Sequence, residues 1–323
     1  MKKFLIWSLA AVITLCAAYY QRITGPTYPK KAVLMINGLS YTLRLTRSIS
    51  LEERSEIRLG INDTTIKAVA FFRKFRSDDE YQISEFKYKV YPVHLFLMNR
   101  IFGIKEEKGF YASLPPQPRA GKLQYYIRIT DLNGTRTLFK ETPVVVRFKG
   151  GVPWPVLLTH VVLMFLAMFL STVAGLMAAA KVPAYRKYGI VTLVTLLAGG
   201  IILGSVVQKY AFGELWTGVP SGWDLTDNKT LIALLFWILA VVMNGRKDKP
   251  VYSVLAAIVL LLVFSIPHSA LGSEFNYATG HVTQGIIVAI FPGIKKNLNL
   301  SAALILYLRL FIRKVKERGC SCN

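Results

Sequence analysis

The chain has 323 residues, 53% of them hydrophobic, and a mean hydropathy of +0.40, which is too apolar for a pair of ordinary soluble domains. Its 40 Lys and Arg against 18 Asp and Glu give a formal charge of +22. Many of the basic residues fall in short connections between apolar runs rather than in one patch, so no nucleic-acid partner is expected. Three cysteines exclude a disulfide framework.

Lys2 and Lys3 precede an apolar run over 4–20. Residues 1–21 therefore read as an N-terminal transmembrane anchor or signal sequence. The length of the run and the want of a small-x-small cleavage site favour the anchor. Cys16 within it is expected to be a packing residue. Leu15, not a small residue, stands before it and speaks against a lipoprotein signal.

Over 22–150 the pattern changes to period two, as in 32–36, 66–73 and 123–129. Branched or aromatic residues alternating with charged ones fit strands that bury one face. Turn chemistry separates them at Asn37-Gly38, Asn62-Asp63, Ser77-Asp78-Asp79 and Asn133-Gly134. About seven strands with no long helical pattern predict an antiparallel, extracytoplasmic all-β sandwich domain. The stretch 90–103 is apolar and reads as a core strand in preference to a surface resting on the bilayer or on the helices, and His94 in it as a packed or surface histidine.

Residues 114–134 run from Leu114-Pro115-Pro116-Gln117-Pro118 through Tyr125-Tyr126 to the turn Asp131-Leu132-Asn133-Gly134. This run resembles the late strands of extracytoplasmic immunoglobulin-like and fibronectin-III-like modules, where a proline-rich approach leads into a Tyr-containing strand and a polar turn. The resemblance implies an immunoglobulin-like sandwich and no catalytic residues. The paired cysteines and the buried tryptophan of true immunoglobulin domains have no counterpart here.

Residues 151–313 read as a C-terminal α-helical transmembrane bundle of about five spans, at 155–180, 189–207, 231–244, 252–267 and 298–312. The apolar segment 282–294 is short and ends at Pro292-Gly293, so a re-entrant or interfacial helix is expected there. Residues 314–323 form a basic cytoplasmic tail with Cys320 and Cys322 at a frayed end. Clustered Lys and Arg at 181–187, 246–249 and 313–318 mark the cytoplasmic side. A multi-pass protein of a bacterial inner (cytoplasmic) membrane follows, with the β-domain on the periplasmic side.

Function is less legible. The chain holds no phosphate loop, His-Glu-x-x-His, Gly-x-Ser-x-Gly or Cys-x-x-Cys, which leans away from an enzyme. The predicted orientation puts His160, His268 and His281 at one depth, as candidate ligands of a b-type haem or a divalent metal. Trp216, Trp223, Asp224, Asp227, Glu274 and Tyr277 reach the same layer and form a candidate ligand-binding set, for a small ligand or a lipid headgroup, though the aromatic residues also suit an interfacial belt. Thr226 or Asp227 is expected to cap the fourth span, and Lys229 to snorkel from its end. Gly199, Gly200 and Gly204 are expected to let helices approach closely. Besides the lipid bilayer, the expected partner is a periplasmic protein or a cell-wall component, bound by an envelope binding or scaffold protein. A membrane redox or metal protein is the alternative, and a transporter component the second one.

Overall fold

The computed structural model describes residues 2–93, 103, 105–267, 272–277 and 280–284. His94, His268, most of 282–294, the segment 298–312, Cys320, Cys322 and the tail 314–323 lie outside the described residues.

Among the described residues four helices are long and apolar enough to cross a membrane: α1 (Lys2–Thr24), α2 (Trp154–Ala179), α3 (Tyr185–Phe212) and α4 (Leu225–Arg246). The shorter apolar helix α5 is Pro250–Ser265. Both α3 and α4 extend beyond the predicted spans at each end, because their terminal turns carry Arg186, Lys187, Asp227 and Lys229 and escape an apolar count. Proline at the first positions of α2 and α5 costs nothing, since those N–H groups have no helical acceptor. At the other end of α3, Gly213 takes φ 94 and its N–H caps the Lys209 carbonyl.

Small residues let the helices close on one another. A methyl on Gly199 would stand 2.7 Å from Leu163 Cβ, one on Gly200 2.8 Å from Thr230 Cγ2, and one on Gly175 would overlap Ala257. Trp237 is fully buried between α2 and α3, and its Nε1 donates to Ser171 Oγ at 3.2 Å. The N-terminal helix is part of this packing: Ile6 and Ala10 meet Val173 and Met177, and the Trp7 ring lies 5.4 Å from Phe169 and 5.3 Å from Tyr188. Cys16, expected to pack, is exposed instead, on a face of α1 turned away from its neighbours.

Eleven strands occupy 30–149 among the described residues. Strands β3 (Ser48–Ser50), β11 (Val144–Lys149), β9 (Lys122–Asp131), β5 (Lys67–Lys74) and β6 (Gln82–Glu85) lie side by side in that order, and β10 (Gly134–Leu138) also pairs with β9. A second sheet orders β4 (Glu56–Leu59), β8 (Glu106–Ser113) and β7 (Lys87–Pro92), and β1 (Lys30–Ile36) pairs with β2 (Leu39–Leu45). One buried cluster takes side chains from all three, among them Ile36, Leu43, Leu59, Phe72, Phe110, Tyr125 and Phe148. The alternation is clean in β5, where Ala68, Ala70 and Phe72 are buried and their neighbours are not. The Asn37-Gly38 turn takes φ 47 and 82, the positive values a two-residue hairpin requires, and sets Ile36 opposite Leu39.

Three expectations need correction. Strands β3, β4 and β6 have only three or four residues, little length for a period-two pattern to register, so eleven strands stand where the sequence predicts about seven. One pairing, β3 with β11, is parallel. The described start of 90–103 also falls in β7, an edge strand with no buried residue, and so does not enter the core.

Candidate functional site

The β region meets the helices at one end, through groups that belong to the backbone of both. Gly150 N–H donates to the Ala211 carbonyl at 2.9 Å, supplying one of the last acceptors of α3. The hairpin of β12 (Ser273–Asn276) and β13 (His281–Gln284) leans back onto the strands: Phe275 N–H donates to Ala120 O at 3.0 Å, and Lys122 Nζ meets Glu274 Oε2 at 2.8 Å. Tyr277 Oη donates to Gln117 Oε1 at 2.8 Å and accepts from Lys122 N–H at 3.2 Å. Burial lowers the Lys122 ammonium below the usual lysine range and raises the Tyr277 phenol.

A buried polar cluster ties this junction together. Asp224, not Thr226 or Asp227, is the cap of α4: its Oδ1 accepts from Thr226 N–H at 2.8 Å. Its Oδ2 accepts from Ser273 N–H at 2.9 Å and Ser273 Oγ at 3.0 Å, which pins the hairpin to the helix start. Three residues on, Asp227 Oδ2 accepts from Thr217 N–H at 2.7 Å and Thr217 Oγ1 at 3.1 Å, while Gln208 Nε2 donates to Thr217 Oγ1 at 2.6 Å. Lys229 is buried rather than snorkelling, and its Nζ donates to the Ile266 carbonyl just past α5 at 2.7 Å.

Arg147 enters the cluster from β11. It is 7% exposed, and Nη2 donates to the Ser273 carbonyl at 2.7 Å. Its guanidinium carbon lies 5.1 Å from the centre of the Phe212 ring. Burial lowers its pKa, and the charges of Asp224 and Glu274 oppose that shift.

Beside the cluster is a cavity of about 720 Å³, walled by the β region on one side and by α2, α3 and α4 on the other. His160 lies on its wall, with Nδ1 2.8 Å from Gly199 O. Gly199 sits in a π-helical turn, Leu197–Leu203. A carbonyl can only accept, so His160 Nδ1 carries a proton and donates it to Gly199 O.

The predicted residues are thus only partly brought together. His160, Asp224 and Asp227 share the cavity wall. Glu274 and Tyr277 are engaged with the β region instead. Trp216 is held in its own loop, with Nε1 donating to Val219 O at 3.1 Å, and Trp223 is half-buried outside the cavity wall. His281 pairs with Asn276 along the hairpin backbone. No group of three His, Cys, Asp or Glu that could hold a metal occurs among the described residues. Arg147, Gln208, Thr217 and Ser273 are site residues that carry no signal of it in the sequence. Comparison with protein-family models, with curated proteins and with solved structures gives no match for this chain.

Proposed function

We propose that this chain is a multi-pass protein of a bacterial inner membrane, and that it serves as a non-enzymatic envelope binding or scaffold protein. Its working part is then a periplasmic, immunoglobulin-like β-domain at 22–150 carried on the transmembrane helices of 151–313. The orientation is supported by charge: Lys2, Lys3, Lys181, Arg186, Lys187, Arg246, Lys247 and Lys249 lie at the helix ends remote from the strands. The sandwich reading is supported by three sheets sharing one core.

The observation that carries the functional reading is the way the β region is mounted. Gly150 bonds to Ala211 of α3, and the Arg147–Ser273 and Phe275–Ala120 bonds tie the β region to the hairpin that Asp224 pins to the start of α4. A module on a free linker samples every orientation, whereas one fixed in this way presents a constant face at a constant height above the bilayer. That suits a protein that positions a partner.

A reporter active only outside the cytoplasm, fused after Gly121, should be active. A photo-crosslinker on the exposed edge strand at Ile83 should trap one envelope component in intact cells. An inactive reporter sinks the orientation, and a lack of any discrete adduct from Ile83 and the neighbouring Tyr81 sinks the partner-binding role.

A further inference from the structure

We infer that the junction cavity is a binding site for a zwitterionic phospholipid headgroup, its phosphate held by Arg147 and its ammonium by Glu52 and Glu53; this deepens the membrane reading above and rests on it. Arg147 is the reason for an oxyanion. A guanidinium offers five N–H donors, and this one, buried at 7% exposure on the cavity wall, directs only one of its side-chain donors to an acceptor among the described residues. No carboxylate among them lies within ion-pair distance of it. The nearest candidates in charge are already engaged: Asp224 and Asp227 point oxygens at backbone and hydroxyl donors of their own loop and hairpin. A planar fork left open towards a cavity matches the oxygens of a phosphate.

Acids on the same wall narrow the class of phosphate. Glu52 and Glu53, in the turn after β3, are exposed on the cavity wall and form no ion pair among the described residues. The Glu52 carboxylate fills the space that a side chain on Gly151 would occupy. Arg22 and Lys149 line the cavity as well, so cations and acids share its wall, and a ligand that carries both a phosphate and an ammonium finds a partner for each. The remaining wall explains why a lipid fits better than a free phosphoester. Leu157 and Val161 line the cavity from α2 yet are 43% and 38% exposed, so the apolar wall continues onto the outward face of a helix that is apolar enough to span a membrane. A head can lodge in the cavity while its chains leave sideways along that face.

The test is native mass spectrometry of the full chain, purified in detergent and stripped of lipid. It is titrated with phosphatidylethanolamine, with phosphatidylglycerol of the same chains, and with inorganic phosphate. One phosphatidylethanolamine per chain is expected, bound about tenfold more tightly than phosphatidylglycerol, with Arg147→Gln weakening it about tenfold and Arg147→Lys less. The exposed pair Glu52→Gln with Glu53→Gln should leave the unfolding midpoint in place and abolish the preference between the two lipids. Equal binding of both lipids by the native chain, phosphate bound as tightly as lipid, or an Arg147→Gln chain that melts normally and binds lipid normally would each overturn the inference. Failure here with an active reporter after Gly121 leaves the membrane orientation standing, whereas an inactive reporter overturns both.

Discussion

Gly150 N–H donates to the Ala211 carbonyl at 2.9 Å, and a methyl group at Gly150 would overlap the neighbouring Tyr210 carbonyl. The connection between the strands and α2 therefore runs directly across the end of α3, and only glycine fits. Gly150→Ala should force the two apart and cost about 1–3 kcal/mol. Limited proteolysis of the purified chain should then cut near 150 at a rate the native protein does not show. An unchanged digestion pattern would mean that the strands are not held by this contact.

Much of this architecture is legible in the sequence because local chemistry demands it. Asn37-Gly38 announces a hairpin, and the alternation in 67–74 announces a half-buried strand. The junction is not legible for the opposite reason. A single arginine after three valines in 144–147 looks like any outward-facing strand residue, and its partner Ser273 is 126 positions away. Topology places Asp224 near the site, but the sequence alone does not single it out as the α4 cap, since Thr226 and Asp227 are capping types too.

Asp224 holds a helix start and a hairpin at once. Asp224→Ala removes the cap of α4 and leaves Ser273 N–H without its acceptor, so it should cost about 2 kcal/mol or more. Ser273→Ala keeps the backbone N–H and loses the hydroxyl's bond to Asp224 and its long contact with Thr217 Oγ1, so it should cost about 1 kcal/mol. Thermal unfolding in detergent checks the order; a Ser273→Ala chain less stable than Asp224→Ala would contradict it.

The glycines of α3 are not equivalent. Gly199 and Gly200 face Leu163 and Thr230 below 3 Å from an added methyl, while Gly204 has nothing nearer than Gly199 O at 3.6 Å. Gly204→Ala should therefore be neutral or stabilising by up to about 1 kcal/mol, through helix propensity alone. Gly199→Ala and Gly200→Ala should each destabilise by about 1–3 kcal/mol. Unfolding midpoints of the three variants decide the matter, and equal behaviour would mean that α2 and α4 do not press on this turn.

Glu56 gives the β region an acid limit. Burial raises its pKa, but hydrogen bonds from Lys89 at 2.6 Å and Tyr91 at 3.0 Å, with the Lys89 and Arg54 charges, outweigh burial and leave the carboxyl below its usual range. The unfolded chain then binds the proton more readily, so this stability is present above about pH 4.3 and lost as pH falls through the folded value. Glu56→Gln should flatten the acid limb of the unfolding midpoint. An acid limb of unchanged slope would show that the pair contributes nothing.

Tyr125 sets the alkaline limit. Its ring is fully buried and Oη donates to Thr46 O at 2.8 Å; burial raises the phenol far above its ordinary value, and the nearby Arg47 only partly offsets this. Above about pH 10 the unfolded tyrosine gives up a proton that the folded one keeps, so the folded state binds more protons and stability falls as pH rises, by about 1.4 kcal/mol per unit. Tyr125→Phe removes that loss along with one buried hydrogen bond, leaving the Thr46 carbonyl without this donor, which costs about 1 kcal/mol at neutral pH. Plotted against pH, the stability curves of the two proteins should converge and cross on the alkaline side. Parallel curves up to pH 11 would mean that the phenol ionises without unfolding, and that the core around Tyr125 admits water.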